Sequence, residues 1–412
     1  MGIIVCAWML RINMKTEVVT IKPEDLDGEK IRAAAHLLDT GQIVAFPTET
    51  VYGLGCVAEP EAIARLDAIK GRPPDKRYTL HIGDRNDVYR YVPHPTPRAR
   101  KLIGQAWPGP VTIVFSLSGG DLEKQKGMVS TGAFGVLYGG GTIGIRCVDN
   151  EIGRAVLRLA MGPLVASSAN RSGDRPAVTA GAVVGAFGGR IAMVLAGLGD
   201  AAMSGRSSTV VKITDECVET LRPGAVSSQE ISEMSQIKIM FVCTGNTCRS
   251  PIAAGFCRRF LSEKLKCGVD ELESVGYIVV SCGLTGIGPT AASPEAVAIC
   301  QERDVHIGDH RSREFDCGEA RTCDYIFGMT RRHVETIAQR CPEAAARCAV
   351  LDETGDIADP MGAGMDVYRD CAVQIEQALR RRLGEIWDED SGSKRPSRDQ
   401  RNRAGEGDHR RA

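Results

Sequence analysis

Residues 243–251 read Cys-Thr-Gly-Asn-Thr-Cys-Arg-Ser-Pro, between an apolar run at Ile237–Val242 and a helical pattern that starts at Ile252. The order predicts a buried strand, a tight turn and a helix whose N-terminus faces an anion. Backbone N–H groups of such a turn point inward, the helix N-terminus adds positive charge, and Arg249 can bind two phosphate oxygens at once. The same field favours the thiolate of Cys243. The stretch therefore favours attack on phosphorus over a buried structural cysteine.

The composition indicates a globular protein with more than one domain. With 412 residues, 43% of them hydrophobic, the chain is long enough for two cores. The formal net charge of −1 points to neither nucleic acid nor membrane, and no apolar run has transmembrane length. The 15 cysteines include no C-x-x-C pair, which argues against a zinc site, and an odd number cannot all form disulfides. We expect a cytoplasmic protein without a bound metal.

Alternating strand-like and helical patterns divide the chain into two α/β domains without internal repeats. The first domain is expected over residues 16–226 and the second over 237–387, with a polar linker at 227–236 between them. Residues 388–412 are polar without periodicity and predict a disordered tail. Residues 1–13 are interpreted either as a gene-start artefact or as a short extra edge strand.

The loop and its surroundings resemble the low-molecular-weight protein tyrosine phosphatases over about residues 237–387. Supporting segments lie at 281–284, 310–313 and the Asp-Pro pair 359–360. The resemblance implies a Rossmann-like domain with a four-stranded parallel sheet that needs no cofactor. It implies that Cys243 takes the phosphoryl group, Arg249 steadies its oxygens and Asp359 protonates the leaving group. The remaining positions of the implied phosphate loop are Thr244, Gly245, Asn246, Thr247, Cys248 and Ser250.

Two departures from the tyrosine-specific pattern concern the substrate. Thr247 stands where tyrosine phosphatases usually carry an aliphatic residue, and the segment 361–364 (Met-Gly-Ala-Gly) lacks tyrosines that wall an aromatic slot. Both features resemble bacterial protein-arginine phosphatases, so we expect phosphoarginine on a protein substrate, with phosphotyrosine as the alternative. An arsenate reductase or thiol redox sensor is a further alternative, because Cys341 and Cys348 are suggestively spaced. The presence of Asp359 favours hydrolysis instead.

The N-terminal half has polar clusters directly after apolar segments, as expected for ligand-binding loops at strand ends. They lie at 47–53, 70–73 and 167–173. Spacing alone does not separate such loops from ordinary solvated ones. A Gly-rich stretch at 118–141 lacks clear periodicity and is expected to form a long loop or lid.

Together with four further segments, these clusters resemble the threonylcarbamoyl-AMP synthase family over about residues 16–226. The further segments are 107–112, 142–146, 207–211 and 222–224. The resemblance implies a domain built on a twisted open sheet. It also implies that this domain condenses L-threonine, bicarbonate and ATP, the last with Mg²⁺, into threonylcarbamoyl-adenylate and pyrophosphate. A tRNA-modifying threonylcarbamoyl transferase complex would use the product for tRNA t6A modification. A non-catalytic RNA-binding module with weak tRNA contact is the alternative.

Carried over motif by motif, the resemblance implies that Lys70 and Arg72 neutralise the negative charge of the triphosphate and the carboxy-phosphate. We expect both cations in a solvated site. The implied ATP site consists of Arg72, Lys76, Thr142, Asn170, Thr179 and Arg222. The implied threonine site consists of Thr48, His81, Arg146, Ser168 and Ser208. Departures from the family pattern occur at 76–78, where Lys-Arg-Tyr replaces Asn-Pro-Leu, and at Lys212, which replaces an Asp.

Overall fold

The structure, a computed structural model, describes residues 15–73, 77–198, 203–214, 216–286 and 288–387. It contains a ten-stranded mixed sheet followed by a separate four-stranded sheet that is parallel throughout. The prediction of two unrelated α/β domains is thereby confirmed. Within the described ranges, helices lack the combination of length and apolarity needed to cross a membrane.

Ten strands, numbered along the chain, form the first sheet: β1 (Glu17–Thr20), β2 (Val44–Phe46), β3 (Gly53–Val57), β4 (Thr79–Ile82), β5 (Val111–Ser116), β6 (Thr142–Cys147), β7 (Leu164–Ser168), β8 (Met193–Ala196), β9 (Thr209–Ile213) and β10 (Val218–Arg222). Their order across the sheet is β1-β8-β2-β3-β7-β4-β6-β5-β9-β10. β2 and β3 are buried at every position, so they form apolar runs rather than an alternating pattern. Strands β7, β4, β6 and β5 are neighbours in this sheet, and the polar clusters come together at one end of these strands.

Nine helices are described before the second sheet: α1 (Glu29–Asp39), α2 (Pro60–Lys70), α3 (Val88–Tyr91), α4 (Pro97–Ala106), α5 (Gly119–Met128), α6 (Thr131–Leu137), α7 (Glu151–Leu159), α8 (Ala180–Phe187) and α9 (Ser228–Ser235). The expected loop at 118–141 is wrong, because it contains α5 and α6. Ser118 and Ser130 cap these helices by accepting hydrogen bonds from backbone N–H groups. A Cβ at Gly132 would lie 2.6 Å from the Glu59 carboxylate, so glycine allows α6 to pack closely on the start of α2.

The second domain has the strands β11 (Ile237–Cys243), β12 (Tyr277–Gly283), β13 (Tyr325–Gly328) and β14 (Cys348–Val350), and the helices α10 (Arg249–Leu265), α11 (Pro294–Gln301), α12 (Cys317–Thr322), α13 (Arg331–Arg340) and α14 (Met365–Trp387). The strand order is β12-β11-β13-β14. Alternation along β11 sends Phe241 and Cys243 into the core beneath α10 and α14, whereas Val242 faces the core beneath α12 and α13. The phosphate loop therefore opens at the carboxyl end of a central strand, as ligand sites of such sheets do.

Helix α4 joins the two domains. Arg98 donates to the Ser235 hydroxyl at 3.3 Å, at the end of α9, which occupies most of the segment 227–236. Lys101 forms an ion pair of 2.8 Å with Asp324, just before β13. Arg100 donates to the carbonyl oxygen of Ile386 at 2.7 Å. The expectations for residues 1–13 and 388–412 concern positions outside the described ranges.

Candidate active sites

The phosphate loop places a thiol among hydrogen-bond donors. Cys243 ends β11 and is 3% exposed, with its sulfur 3.0 Å from the Ser250 hydroxyl and 3.2 Å from the Asn246 backbone nitrogen, which donates to it. A Cβ at Gly283 would lie 2.8 Å from the carbonyl oxygen of Thr244, so glycine in β12 lets the loop fold this tightly. The loop thus points its donors at the sulfur.

Asn246 holds the loop in shape. Its φ of 58° lies in the left-handed region, which a non-glycine residue adopts only with support from its surroundings. Its amide nitrogen donates to the Ser250 and Ser281 hydroxyls at 2.9 and 3.0 Å, and its amide oxygen accepts from the Arg313 N–H at 3.0 Å. His310 Nε2 donates to its carbonyl oxygen at 2.7 Å. Because Asn246 donates to Ser250, the Ser250 hydroxyl is able to donate to the thiol.

Arg249 lies beneath the loop with its guanidinium 5% exposed. One terminal nitrogen donates to the Ile357 carbonyl oxygen at 3.0 Å. The other donates to Asp359 and lies 3.4 Å from the Thr244 hydroxyl. The Asp359 side chain is 45% exposed, so it stands at the mouth of the site. Because Asp359 is at the mouth, its movement off this nitrogen would free the N–H for a phosphoryl oxygen.

The other loop thiol, Cys248, has polar neighbours on the buried side. Its sulfur lies 3.3 Å from the Tyr368 hydroxyl and 3.4 Å from the Ser293 hydroxyl. Burial, followed by the hydrogen bond to Cys248, raises the pKa of Tyr368 to about 12. Thr247 is 7% exposed, and its carbonyl oxygen accepts from the Ser293 N–H at 2.9 Å.

The cysteines of the arsenate-reductase alternative lie elsewhere. Cys341 and Cys348 belong to the core beneath α12 and α13, whereas Cys243 belongs to the core on the other face of the sheet. A three-thiol relay needs its cysteines within reach of one another. This arrangement does not bring them together.

A cavity of about 610 Å³ occupies the polar end of the first sheet. The sequence-predicted residues that line it are Thr48, Arg72, His81, Thr142, Arg146, Ser168, Ser208 and Arg222. Asn170 and Thr179 are not among the residues that line this cavity: the Asn170 amide donates to the Asp174 carbonyl oxygen at 3.0 Å, and Thr179 caps α8 by accepting from Ala182. Lys76 lies outside the described residues.

Lys70 is buried, which corrects the expectation of a solvated cation. The residue is 4% exposed, and its ammonium donates to the carbonyl oxygens of Ser168 and, at 2.7 Å, Asn170. Burial and then the neighbouring Arg72 lower the pKa of Lys70 to about 8. Sequence reasoning missed this because the carbonyls come from a loop almost a hundred residues away. Lys70 thus fixes the loop after β7 and contacts Ser168, which lines the cavity, but is not itself among the lining residues.

Arg146 and His81 present complementary groups to the cavity. Arg146 donates to Glu49 at 2.8 Å and to the Thr50 hydroxyl at 2.7 Å, while its Nε is buried without a hydrogen-bond partner among the described residues. His81 Nδ1 donates to the Thr79 carbonyl oxygen at 2.9 Å, so Nε2 carries a lone pair. Burial lowers the pKa of His81 to about 3, which keeps the ring neutral. The site can therefore receive both a carboxylate and a donor group.

Comparison with known proteins matches the two halves of the chain to two different families. A model for the Sua5/YciO/YrdC family, described as telomere recombination, matches residues 36–224, and a model for low molecular weight phosphotyrosine protein phosphatases matches residues 238–391. A threonylcarbamoyl-AMP synthase from Chromohalobacter salexigens is 32% identical over 195 residues, 47% of this chain and 97% of the relative. The synthase domain belongs to a known family. The chain is a member of the threonylcarbamoyl-AMP synthase family and carries a low-molecular-weight phosphatase domain.

Other relatives differ in length. A threonylcarbamoyl-AMP synthase from Pyrococcus abyssi is 33% identical over 220 residues, 53% of this chain. The chain spans 61% of that relative and 59% of one from Bacillus subtilis. A solved structure described as YwlE arginine phosphatase from Geobacillus stearothermophilus is 29% identical, covers 39% of this chain and 99% of its own, and has a TM-score of 0.32.

Arg72 is held in place by Tyr78 and Arg77, two residues that the motif spacing did not identify. The Arg72 guanidinium lies 4.4 Å from the centroid of the Tyr78 ring, and Tyr78 donates to Asp67 at 2.6 Å. Arg72 donates to the Arg77 carbonyl oxygen at 2.7 Å, and Arg77 donates to the Thr142 hydroxyl at 3.0 Å. The departure from the family pattern at 76–78 thus supplies an aromatic platform for this cation.

The hydroxyl groups of Thr112 and Ser208 line another side of the cavity. Thr112, which interrupts the apolar strand β5, lies 3.2 Å from the Ser208 hydroxyl, and Arg222 donates to Ser208 at 3.1 Å. The polar residue within an apolar run was the signal that could have identified Thr112 from sequence. Among the described residues, His, Cys, Asp and Glu side chains form no group of three that could hold a metal ion.

Proposed function

We propose that the first domain makes threonylcarbamoyl-adenylate and pyrophosphate from L-threonine, bicarbonate and ATP. The observation that carries this proposal is a cavity that combines four guanidinium groups with a neutral histidine and several hydroxyls. Formation of a mixed anhydride with phosphate needs fixed positive charge and positioned reactants. The names of the relatives point the same way.

The geometry divides the cavity between the substrates. Arg72 and Arg222 bind the phosphates of ATP, the first from its platform on Tyr78. Arg146, which lines the cavity, receives the threonine carboxylate, since a guanidinium binds carboxylates well. His81 accepts a hydrogen bond from threonine on Nε2. Thr48, Thr142, Ser168 and Ser208 add hydroxyl groups around the two substrates.

A resident metal ion does not fit the described residues, which offer no ligand cluster. Mg²⁺ therefore enters, in this proposal, together with ATP as part of the substrate. The product is handed to a tRNA-modifying transferase complex, and the reaction runs in the cytoplasm, where the cysteines remain free thiols.

Pyrophosphate release tests the synthase proposal. The full chain should release pyrophosphate only when threonine, bicarbonate and ATP are all present, and Arg72→Ala should abolish release. Arg65→Ala, on the exposed side of the same helix region, is the matched control and should retain it. Release without threonine, or full release by Arg72→Ala, would contradict the proposal. RNA binding without turnover would favour the non-catalytic alternative.

We infer that the second domain hydrolyses a phosphorylated protein through a phosphocysteine. The observation that carries this is the Cys243 sulfur beside the Ser250 hydroxyl and the Asn246 N–H, on a loop that Arg249 contacts through Thr244. The sulfur attacks phosphorus, the bond to the leaving group breaks, and Asp359 gives the leaving atom a proton. Water then attacks phosphorus and loses a proton to Asp359, the phosphorus–sulfur bond breaks, and phosphate leaves with Cys243 again a thiolate.

We favour phosphoarginine as the substrate. Tyr368 is the first aromatic residue after Pro360, and it is 1% exposed, so it does not wall an aromatic slot. Asp359 accepts a hydrogen bond from a guanidinium, that of Arg249, and a guanidine leaving group offers the same kind of donor. Thr247 adds a hydroxyl at the loop position where an aliphatic side chain would favour an aryl ring.

Substitution at position 247 tests the substrate. The wild type should prefer phosphoarginine over phosphotyrosine peptides, and Thr247→Ile should lower kcat/KM for phosphoarginine by about tenfold to a hundredfold, because an unpaired buried polar group costs about 1–3 kcal/mol. Thr247→Ser keeps a hydroxyl and should behave as the wild type. A wild-type preference for phosphotyrosine, or an unchanged ratio in Thr247→Ile, would replace this substrate with phosphotyrosine.

A further inference from the structure

His333 links helix α13 to the phosphate loop. The residue is 6% exposed and is the third residue of α13, whose N-cap is Thr330. Its Nε2 lies 3.0 Å from the Thr244 hydroxyl oxygen. A Cβ at Gly328 would lie 3.0 Å from the His333 Cβ, so the glycine that ends β13 leaves room for the ring.

The surroundings fix which ring nitrogen carries the proton. The backbone N–H of Thr330 points at His333 Nδ1 from 3.1 Å, and a backbone N–H is always a donor. Nδ1 must therefore be the acceptor, so the hydrogen is on Nε2. Burial, followed by the charge of Arg249, lowers the pKa of His333 to about 4, so the ring is neutral near pH 7. His333 accordingly donates from Nε2 to Thr244.

This donation fixes the direction of the Thr244 hydroxyl. Its oxygen has two neighbours among the described residues, His333 Nε2 at 3.0 Å and an Arg249 nitrogen at 3.4 Å, and both are donors. Two donors use the oxygen as an acceptor, which leaves the hydroxyl hydrogen for another acceptor. Thr244 is exposed at the rim of the loop, so that acceptor can be a ligand.

The position of the acceptor follows from Arg249. The Arg249 nitrogen beside Thr244 is the one that now donates to Asp359. A phosphoryl oxygen that replaces Asp359 there would lie next to the same nitrogen as the Thr244 hydroxyl, within hydrogen-bond reach of both. We propose that His333 is a positioning residue that holds Thr244 as a hydrogen-bond donor to the substrate phosphoryl group. The inference rests on the phosphatase function proposed above.

Binding of inorganic phosphate tests the inference in the full chain. Phosphate should protect Cys243 from alkylation by iodoacetamide, and peptide mass spectrometry gives the dissociation constant from the protection. Thr244→Val and His333→Leu should each weaken phosphate binding by about tenfold or more, the usual effect of one hydrogen bond to a charged group. The double variant should bind phosphate about as weakly as the weaker single variant, because both remove the same hydrogen bond.

A glutamine separates positioning from a structural role. In His333→Gln the side-chain oxygen can accept from Thr330 while the amide nitrogen donates to Thr244, as the imidazole does. This variant should restore phosphate binding to within about threefold of the wild type. For turnover of a phosphorylated substrate, Thr244→Val should raise KM more than it lowers kcat, because the bond is present in both ground and transition states. Thr336→Val is the control, because the Thr336 hydroxyl donates within α13, to the Arg332 carbonyl oxygen.

Three results would overturn the inference while leaving the phosphatase proposal intact. They are unchanged phosphate binding in Thr244→Val, failure of His333→Gln to restore binding, and effects of the two single variants that multiply in the double variant. A wild type that neither binds phosphate nor hydrolyses a phosphorylated substrate would overturn both.

Discussion

The two sites differ in how the chain builds them. The phosphatase site is one continuous loop, 243–250, closed over a helix N-terminus, and only Asp359 and supporting contacts come from elsewhere. The synthase cavity is assembled from strands β4 to β7, β9 and β10 together with the loops around them. Its cations come from separate segments, with Arg72, Arg146 and Arg222 each on a different one.

Their charged groups are also held differently. Arg249 is paired with Asp359, a side chain at the mouth that can move away when a ligand arrives. Lys70 is buried against backbone carbonyl oxygens and cannot be removed without disturbing a loop. Substitution of Cys243 should therefore affect chemistry with little loss of stability, whereas substitution of Lys70 should affect chemistry and folding together.

The largest effect should follow from Cys243→Ser. Loss of a covalent nucleophile should reduce phosphatase turnover by about 10⁴-fold or more. Synthase activity and the Tm should remain those of the wild type, because the loop is a local unit. Cys267→Ser, a partly exposed thiol outside the loop, is the control for general thiol effects. Phosphate release by Cys243→Ser at the wild-type rate would remove the covalent mechanism.

Lys70→Met should lower both synthase activity and stability. Two carbonyl oxygens lose their donor, so the free energy of unfolding in denaturant should fall by about 1–3 kcal/mol. Arg72→Met should abolish activity with a smaller loss, because Arg72 lies at the cavity surface on Tyr78. If the two variants were equally stable, Lys70 would not stabilise the fold more than Arg72 does, and the distinction between a structural cation and a ligand-binding cation would be wrong.

The lowered pKa of Lys70 gives a pH signature. The pKa is about 8 when folded, against an ordinary value of 10.5, so between these values the unfolded chain binds more protons than the folded one. Stability from this group therefore rises as pH increases from about 8 to 10.5, whereas activity that needs the charged ammonium falls. Denaturant unfolding at several pH values should show the rise in the wild type and not in Lys70→Met.

The aromatic platform should have a moderate effect. Tyr78→Leu removes both the ring and the hydrogen bond to Asp67, and we expect the KM for ATP to rise by about tenfold, since a cation–π contact of a partly desolvated guanidinium contributes about 1–2 kcal/mol. Tyr78→Phe keeps the ring and should raise KM less. Equal KM values in the two variants would show that the ring does not position Arg72.

The same difference explains what sequence reasoning could find. The phosphate loop could be predicted because consecutive residues and a strand-to-helix turn bring Cys243, Asn246 and Ser250 together. The burial of Lys70 was not, because it depends on a loop brought near by β7. Tyr78 had no signal until its ring was seen under Arg72. The helices at 118–141 were missed because glycine was taken as a loop signal, although Gly132 allows close helix packing and Gly119, Gly127 and Gly135 lie within the helices.

The smallest effect should come from the contact between the domains, and it shows whether the two sites are independent. Lys101 lies on α4, five residues before the turn that leads to β5 and Thr112, and its partner Asp324 also accepts from the Lys238 N–H of β11 at 2.8 Å. Lys101→Met should lower stability by only about 0.5–1 kcal/mol, as expected for a partly exposed ion pair. Asp324→Asn should cost somewhat more, because a backbone N–H also loses its charged partner.

Both variants should leave kcat and KM of both activities unchanged, since the pair lies at the amino ends of the phosphatase strands, opposite the phosphate loop. Steady-state assays of the two reactions on the same protein measure this. If Lys101→Met changed synthase kcat and phosphatase kcat together, the contact through α4 would carry coupling between the sites. The two sites would then differ in how the chain forms them, one from a single loop and the other from many segments, but they would not function independently.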